Sequence, residues 1–420
     1  MYFRPSKNKS TADFFVPGKI SIILDSCAGS SGKGKIGSFV TQNAGGAYHF
    51  VCNTFAPQAS HIVHDRNHAE ICYKQLNSCA HRHEEFEKMY IGQGASISLK
   101  ALLDEIALTG IPAEKIGISA LTPIVQDIDR LYEEGKVGFD GKQLESHHDG
   151  TIKNGSTCSG VGVARARRVV RDKNILLAKD VPELKQYICD VPGEILDRLA
   201  KGQSGLLEIA QGFQLSNGLP EFYPYCTCRN VTVAAGLDDM MLPITVVGNV
   251  LLNMRTLPIR IASKKYIEDA TGTHLTWEQV KSGKHKYKEV ESFSGHGYND
   301  QTELSWDDVK KQSGATIPES AILTSLTKLP RRVFTFSQRN LVDAIMHNQT
   351  PYMVYLSVNF VNWIDGEMEG KTDEITEKIH NWVDLNIAPV MENQPNVVLR
   401  YLGTGKYTED TVVVASTTFG

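Results

Sequence analysis

Glycines and lysines are concentrated in residues 25–35, in a pattern that could bind phosphate. Residues 29–35 read Gly-Ser-Ser-Gly-Lys-Gly-Lys, and a run of β-branched residues at 19–24 precedes them. Glycines let backbone N–H groups approach phosphate oxygens, and the start of a following helix adds partial positive charge. The spacing Gly29-x4-Gly34-Lys35 matches the Walker pattern, but Ile36 stands where a Mg²⁺-binding serine or threonine is expected. A flexible basic surface turn is the alternative; the apolar strand predicted before the loop favours a phosphate site.

Two further polar loops follow predicted strands. Residues 53–61 are rich in small and amide side chains and end on His61, although a lone histidine is more often structural than catalytic. Residues 155–164 are rich in glycine and hydroxyl groups and lead into an arginine run at 165–171. That run is either a solvated helix face or an anion-binding site. Because open α/β sheets bind ligands at the carboxyl ends of their strands, we expect these loops to meet at one edge of a sheet.

The composition indicates a soluble globular protein. The chain has 420 residues, of which 41% are hydrophobic and 22% charged, so it is long enough for two domains or one large α/β domain. A formal net charge of -4 gives no electrostatic case for a nucleic acid or an anionic membrane as partner. No apolar run reaches the length of a membrane span, the N-terminus lacks the apolar core of a signal peptide, and the cysteines lack zinc spacing. We therefore expect a cytoplasmic protein with reduced thiols.

The elements that must position these loops alternate between strand and helix. Apolar runs predict strands at 19–24, 48–52, 88–91, 115–119, 205–209, 352–358, 397–402 and 411–416. Amphipathic patterns predict helices at 99–109, capped by Ser98, and at 124–134, 338–346 and 372–386. The apolar residues 240–254 suit a core helix or a strand–helix pair. This alternation predicts an α/β fold with a large, mainly parallel central sheet covered by helices.

The same patterns suggest how the chain is divided. Residues 1–17 form a leader that is either poorly ordered or lies along an edge. Residues 18–420 form one domain, with an excursion at 256–322 that is rich in charged, glycine and histidine residues and shows no separate core pattern.

Taken together, the loops resemble the adenylosuccinate synthetase family over residues 18–416. Seven segments occur in the family's order: residues 29–35 (G-D-E-G-K-G-K in the family), 58–61 (N-A-G-H), 156–162 (T-T-G-R-G-I-G), 208–212 (E-G-A-Q-G), 223–227 (Y-P-Y-x-T), 325–332 (T-x-T-G-R-x-R-R) and 403–405 (S-T-G). Each segment alone is a weak signal, but seven in order are a strong one. The resemblance implies the family's fold, with a P-loop-like phosphate site.

Three departures from the family pattern point to its phage branch. Ser30 replaces the first-loop aspartate, Val358 and Phe360 replace the lysine and aspartate that read guanine, and Leu329 replaces an arginine that contacts aspartate and ribose. The phage enzymes use dGMP in place of IMP, and ATP or dATP in place of GTP, on the route to 2,6-diaminopurine in phage DNA. A smaller Ser30 leaves room for the 2-amino group of guanine.

The resemblance implies a ligase that transfers the γ-phosphate of ATP to O6 of dGMP and then joins L-aspartate at C6. The products are 2-aminoadenylosuccinate, ADP and phosphate. Catalysis would involve Ser30, Lys33 and His61, with His61 as a general acid. Mg²⁺ would be held at Ser30 and Ser60. A serine hydroxyl is a poor base, so the group that removes the N1 proton stays open.

The implied binding residues fall into three sets. Those for dGMP are Ser30, Gln58, Ser156, Thr157, Arg171, Gln211 and Thr227. Those for ATP are Ser30, Gly32, Lys33, Gly34, Lys35, Asn359, Gly403 and Gly405. Those for aspartate are Ser325, Leu326, Thr327 and Arg331. The family sends the arginine at position 171 into the neighbouring subunit's site, which implies a homodimer; a phage-encoded enzyme would act in the host cytoplasm.

Two other functions stay open at this point. One is an IMP-using adenylosuccinate synthetase with an unusual first loop, which Ser30, Val358 and Phe360 disfavour. The other is a catalytically dead nucleotide-binding protein, which would have no use for Lys33 and His61.

Overall fold

A computed structural model describes residues 3–144, 154–261, 265–270, 274–275, 283, 286–291, 293–323, 330–392 and 394–415. The strands in these ranges are β1 (Ile20–Asp25), β2 (Phe50–Asn53), β3 (His61–His64), β4 (Glu70–Tyr73), β5 (Lys88–Ile91), β6 (Ile116–Ser119), β7 (Ile188–Cys189), β8 (Gly205–Gly212), β9 (Val247–Arg255), β10 (Ile259–Arg260), β11 (Lys265–Asp269), β12 (His274–Leu275), β13 (Tyr287–Glu291), β14 (Glu303–Leu304), β15 (Arg332–Phe334), β16 (Val354–Asn359), β17 (Val397–Gly403) and β18 (Thr411–Val413).

The α-helices in the same ranges are α1 (Lys33–Gln42), α2 (Leu99–Thr109), α3 (Asp127–Glu133), α4 (Val161–Val169), α5 (Val191–Ala200), α6 (Val233–Asp239), α7 (Trp306–Ser313), α8 (Glu319–Ile322), α9 (Gln338–Met346), α10 (Glu377–Asn386) and α11 (Ala388–Met391). None of the described helices is long and apolar enough to cross a membrane.

A ten-stranded sheet in the described residues forms the centre of the fold, in the order β18-β17-β16-β9-β1-β8-β2-β5-β6-β7. Its pairs are parallel, except that β17 and β18 are antiparallel. Strand β1 lies between β8 and β9, and all six of its residues are buried. Burial on both faces is why this strand reads as a continuous apolar run. The predicted α/β class with a mainly parallel sheet is confirmed.

Successive residues of β1 face opposite sides of the sheet, as the pleat requires. Ile22 packs in a core with helices α5, α6, α9 and α10, whereas Ile23 packs in a second core with α1 and α2. Helices therefore cover both faces, and the loops at the carboxyl ends of the strands are left to form the site.

Most predicted elements occur, with changes at their ends. Helices α2 and α9 have the predicted bounds. Ser98 stands at the N-cap of α2, but its hydroxyl makes no capping hydrogen bond, so the predicted side-chain cap is wrong. Residues 240–254 are neither a core helix nor a strand–helix pair in that order; they run from the end of α6 into the long strand β9.

The described part of residues 256–322 contributes to a small apolar cluster that it shares with residues outside the excursion. Strands β10, β14 and β15 form a three-stranded antiparallel sheet, and β11, β12 and β13 form another. The cluster joins Leu257 and Ile259 to Val309 and, from outside the excursion, to Val333 and Trp363. These residues are too far apart in the sequence to show a local pattern.

The described part of the leader lies along the sheet. Phe14 and Phe15 are buried in the core beside Ile23, and the backbone N–H of Ser6 donates to the carbonyl of Val413 at 2.7 Å. The leader thus meets β18 at Ser6 and packs over one face of the sheet at Phe14 and Phe15.

Candidate active site

The glycine-rich loop joins the end of β1 to the start of α1. Helix α1 begins at Lys33, so both lysines of the loop lie in its first turn. Ser30 and Gly32 have positive φ angles of 56° and 76°, which turns the chain sharply after the strand. A Cβ on Gly34 would lie 2.8 Å from the carbonyl oxygen of Ile62. Only glycine therefore allows α1 to lie this close to β3, the strand that carries His61.

Lys33 lies between the ends of β1 and β8. Its Nζ donates to the carbonyl oxygen of Gln211 at 2.8 Å and lies 3.5 Å from Oδ2 of Asp25. Oδ1 of Asp25 accepts from Nδ2 of Asn253 at 2.6 Å. The side chains of Asp25, Lys33 and Asn253 are all buried. Sequence reasoning gave Asp25 no role, although its position after an apolar strand is typical of a site residue.

Lys35 contacts the last glycine turn, not the first loop. Its Nζ donates to the carbonyl oxygens of Gly405 at 2.8 Å and Asp410 at 2.6 Å. Burial lowers the pKa of Lys35 to about 8, although the nearby acidic groups oppose this shift. A Cβ on Gly403 would lie 1.9 Å from Oδ1 of Asn359, so this turn fits tightly against β16. The predicted residues Lys35, Asn359, Gly403 and Gly405 are thus brought together.

Two asparagines at the ends of β9 and β16 support the first loop from below. Nδ2 of Asn253 and Nδ2 of Asn359 donate to the carbonyl oxygen of Ser31 at 3.0 and 2.9 Å. Nδ2 of Asn359 also lies 2.6 Å from Oδ1 of Asn253. This network fixes the loop to the sheet through the carbonyl group of Ser31.

His61 forms a buried pair with Glu208, which lies on β8. Nδ1 of His61 is 3.4 Å from Oε1 of Glu208, and that carboxylate also accepts from the hydroxyl of Ser78 at 2.8 Å. The imidazole stacks on Phe55 with ring centroids 3.8 Å apart. Its Nε2 is buried and has no hydrogen-bond partner among the described residues. One ring nitrogen is therefore oriented by a carboxylate and the other is available for chemistry.

Burial and charge act in opposite directions on this pair. Burial lowers the pKa of His61, while the hydrogen bond and the charge of Glu208 raise it. Burial alone would raise the pKa of Glu208, but His61 and then Lys33 outweigh it and lower that pKa. The resting pair is therefore a neutral imidazole beside a carboxylate.

A carboxylate also binds the second loop. Oε2 of Glu133 accepts from the N–H of Gly160 at 2.8 Å, and its Oε1 accepts from the N–H of Gly162 at 3.1 Å. These groups form the N-terminus of α4. Burial raises the pKa of Glu133, and its backbone hydrogen bonds lower it. The loop residues before Gly160 bond among themselves: Oγ of Ser156 accepts from the N–H of Cys158 at 3.1 Å, and Oγ1 of Thr157 donates to Oγ of Ser159 at 3.1 Å.

Replacing Glu133 by glutamine should lower the free energy of unfolding by about 1–3 kcal/mol. The NH₂ group of the glutamine would face the N–H of Gly160 or Gly162, which now donates to a carboxylate oxygen of Glu133. Urea unfolding measures the change. The matched control is Glu134→Gln, next to it in the chain, because Glu134 pairs with Lys136 in a partly exposed bridge that should contribute less than about 1 kcal/mol. Equal losses in both variants would contradict a specific role for Glu133.

The arginine run is neither a solvated face nor a free anion site as a whole. Arg167 is buried and pairs with Asp129 at 2.9 Å and Asp172 at 2.7 Å. Arg165 contacts Asp239 at 3.1 Å. Arg171 differs: it is exposed beyond the end of α4 and has a φ of 57°.

The remaining predicted residues are placed as follows. Gln58 and Ser60 lie in the loop before His61, and Oε1 of Gln58 is buried with no hydrogen-bond partner in the described ranges. Thr227 follows β8 in the chain, and its N–H donates to the carbonyl of Leu215 at 2.8 Å. Nη1 of Arg331 donates to the carbonyl of Ala321 at 3.0 Å, and burial lowers its pKa. Ser325, Leu326, Thr327 and Leu329 lie outside the described residues.

Comparison with known proteins gives relatives of the chain in sequence and in structure. No protein-family model matches the chain. The N6-succino-2-amino-2'-deoxyadenylate synthase of Vibrio phage phiVC8 is 29% identical over 353 residues, which cover 82% of this chain and 86% of the relative. The synthase of the same name from Acinetobacter phage SH-Ab 15497 is 28% identical over 380 residues, covering 84% and 86%.

Solved structures agree with these relatives. The succinoaminodeoxyadenylate synthetase of cyanophage S-2L, solved with dGMP and with dATP as an energy donor, has a TM-score of 0.68 and 26% identity and covers 94% of this chain and 95% of its own. The adenylosuccinate synthetase of Plasmodium falciparum has a TM-score of 0.66 and covers 94% and 99%; its 15% identity supports the fold alone. In sequence and in fold, the chain is thus similar to the phage-type branch of the adenylosuccinate synthetase-like family.

Proposed function

We propose that the protein joins L-aspartate to C6 of dGMP, with ATP or dATP as the phosphoryl donor, and forms N6-succino-2-amino-2'-deoxyadenylate. One observation carries the proposal: the first loop keeps the glycine cradle and Lys33, while an exposed Ser30 stands where relatives that use IMP have aspartate. The names of the phage relatives and the nucleotides bound to the S-2L enzyme support it. Such an enzyme would act in the host cytoplasm on the route to diaminopurine-containing DNA.

The proposed chemistry has two steps. Transfer of the γ-phosphate to O6, with loss of the proton on N1, makes a leaving group at C6; the amine of aspartate then displaces phosphate from C6 and loses a proton. The protein must stabilise charge on the moving phosphoryl group. Backbone N–H groups of the first loop and Lys33 supply this stabilisation, and His61, once protonated, donates to the departing β-phosphate. Glu208 stabilises the imidazolium. We assign Ser30 to the purine edge, where its small side chain admits the 2-amino group.

The substrate-binding assignments are those that the family resemblance implies. Gln58, Ser156, Thr157, Gln211 and Thr227 would bind dGMP, and Arg171 would reach it from a second copy of the chain in a homodimer, which suits an exposed arginine. Gly32, Gly34, Asn359, Gly403 and Gly405 would line the donor site, with Lys35 holding the last turn in place. Arg331, with Ser325, Leu326 and Thr327, would bind aspartate.

The residues at the first loop fit a Mg²⁺ ion held mainly by substrate phosphates. No group of three or more His, Cys, Asp or Glu side chains in the described residues could hold a metal by itself. Mg²⁺ commonly takes one or two protein oxygens, with waters and phosphate oxygens completing its shell. Ser30 and Ser60 would supply those oxygens. When bound, the ion neutralises phosphate charge.

The experiment is phosphate release by the purified protein with ATP, Mg²⁺ and L-aspartate, comparing dGMP, GMP and IMP. We expect turnover with dGMP and little with IMP. Turnover with IMP in preference to dGMP would indicate an ordinary adenylosuccinate synthetase. Nucleotide binding without turnover on any of the three would indicate a catalytically dead protein.

A further inference from the structure

A guanidinium is buried beneath the first loop. Arg255 is the last residue of β9 and is 1% exposed. Its Nη1 donates to the carbonyl oxygen of Ser30 at 2.7 Å. Its Nε and Nη2 are buried and make no hydrogen bond to any described residue. Burial, and after it the charge of Arg331, lowers the pKa of Arg255 to about 9. A cation in this place must be held by something other than a carboxylate.

Two aromatic rings hold it. The guanidinium carbon of Arg255 lies 4.3 Å from the ring centroid of Phe360 and 4.5 Å from that of Trp363. The rings are themselves in contact, with centroids 5.0 Å apart. A cation–π contact that is shielded from water is stronger than one at an exposed site. Phe360 thus fixes the position of the guanidinium at the end of β16.

The same phenylalanine lies close to the loop. A Cβ on Gly32 would lie 3.5 Å from a ring carbon of Phe360. Ser30, whose carbonyl accepts the bond from Arg255, has a φ of 56°, a conformation that a serine rarely adopts without support. The bond from Arg255 supplies such support.

We propose that Arg255 is a positioning residue that links Phe360 to Ser30, so that the side chain at position 360 controls binding of the acceptor purine as well as the phosphoryl donor. The proposal rests on the proposed function, in which Ser30 contacts dGMP, and on the resemblance, which makes position 360 one of the two positions that read the base of the phosphoryl donor. It connects two departures from the family pattern that are 330 residues apart in the sequence. A serine at position 30 and an aromatic ring at position 360 then act as parts of one unit.

The test measures binding of dGMP by calorimetric titration with no donor present, so that lost donor contacts cannot contribute. Phe360→Leu should weaken dGMP binding about 3- to 30-fold, the effect of losing a partly desolvated cation–π contact. Arg255→Lys should have a similar effect. The double variant should be weaker by less than the product of the two, because both changes break the same link.

Two variants separate this link from general damage. Phe360→Tyr keeps the ring, and its hydroxyl can reach solvent because Phe360 is only partly buried, so it should recover most of the affinity. Phe86→Leu is the matched control. Phe86 precedes β5, and its ring centroid lies 5.9 Å from Nζ of Lys115, so this change also removes a cation–π contact. Thermal unfolding confirms that each variant folds.

The outcomes are distinct. If Phe360→Leu binds dGMP as the parent does and only its KM for ATP rises, the link is absent and the proposed function stands. If the loss of dGMP affinity in the double variant equals the product of the losses in the two single variants, Arg255 and Phe360 act separately and the proposal fails. If the parent protein itself does not bind dGMP, the proposed function fails first.

Discussion

Replacing His61 by asparagine should lower the turnover number with dGMP, ATP and L-aspartate about 100- to 10,000-fold. Asparagine can still donate one hydrogen bond to Glu208, but it cannot carry a proton to the departing phosphate. Because the imidazole contributes a proton and not substrate affinity, we expect KM for dGMP to change little. Steady-state phosphate release, with dGMP and ATP each varied, separates the two parameters.

His49→Asn is the matched control for that change. His49 directly precedes β2, and its Nδ1 accepts from the backbone N–H of Ser204 at 3.2 Å. The side-chain oxygen of asparagine can accept the same hydrogen bond. Activity close to that of the parent is expected. A His61→Asn protein that keeps more than about a tenth of the parent turnover would remove His61 from the proton-transfer role.

The role of His61 as a general acid also predicts the direction in which activity changes with pH. A general acid works in its protonated form, so kcat/KM should fall as the pH rises through the pKa of His61. Burial lowers that pKa and Glu208 raises it. Glu208→Gln removes the raising charge, and the fall in activity should therefore move to lower pH. A shift to higher pH would mean that another group limits the rate.

Replacing Ser30 by aspartate should lower kcat/KM for dGMP about 100-fold and raise the ratio of IMP to dGMP turnover. The longer carboxylate would occupy the space assigned to the 2-amino group and restore an acceptor for N1–H. The backbone tolerates the change, because aspartate adopts a positive φ more readily than most residues. It also adds a negative charge to a loop that already has the buried Asp25 at its base.

Competition between dGMP and IMP for a limiting amount of enzyme measures this ratio directly. Ser10→Asp, at an exposed position in the leader, controls for added charge and should leave the ratio unchanged. A Ser30→Asp enzyme that still prefers dGMP by the parent's factor would show that the purine is selected elsewhere.

The sequence by itself determined the fold class and most of the chemistry-bearing loops. A strand buried on both faces, such as β1, can be predicted from an apolar run because it has no polar alternation. Gly32 and Gly34 indicate the tight loop because few other residues fit at these positions. The order of the polar segments then indicated the family, which the fold and the phage relatives confirmed.

The tertiary structure decided which side chains those loops present to one another. It separates the two lysines of the first loop, since Lys33 contacts Gln211 while Lys35 holds the turn at Gly405. It also pairs His61 with Glu208 and brings Arg255 under Ser30. Each of these contacts joins elements that are far apart in the chain: α1 to the end of β8 and to the turn after β17, β3 to β8, and β9 to the first loop. Strand order comes from the packing of the whole domain, so no local pattern could reveal these contacts.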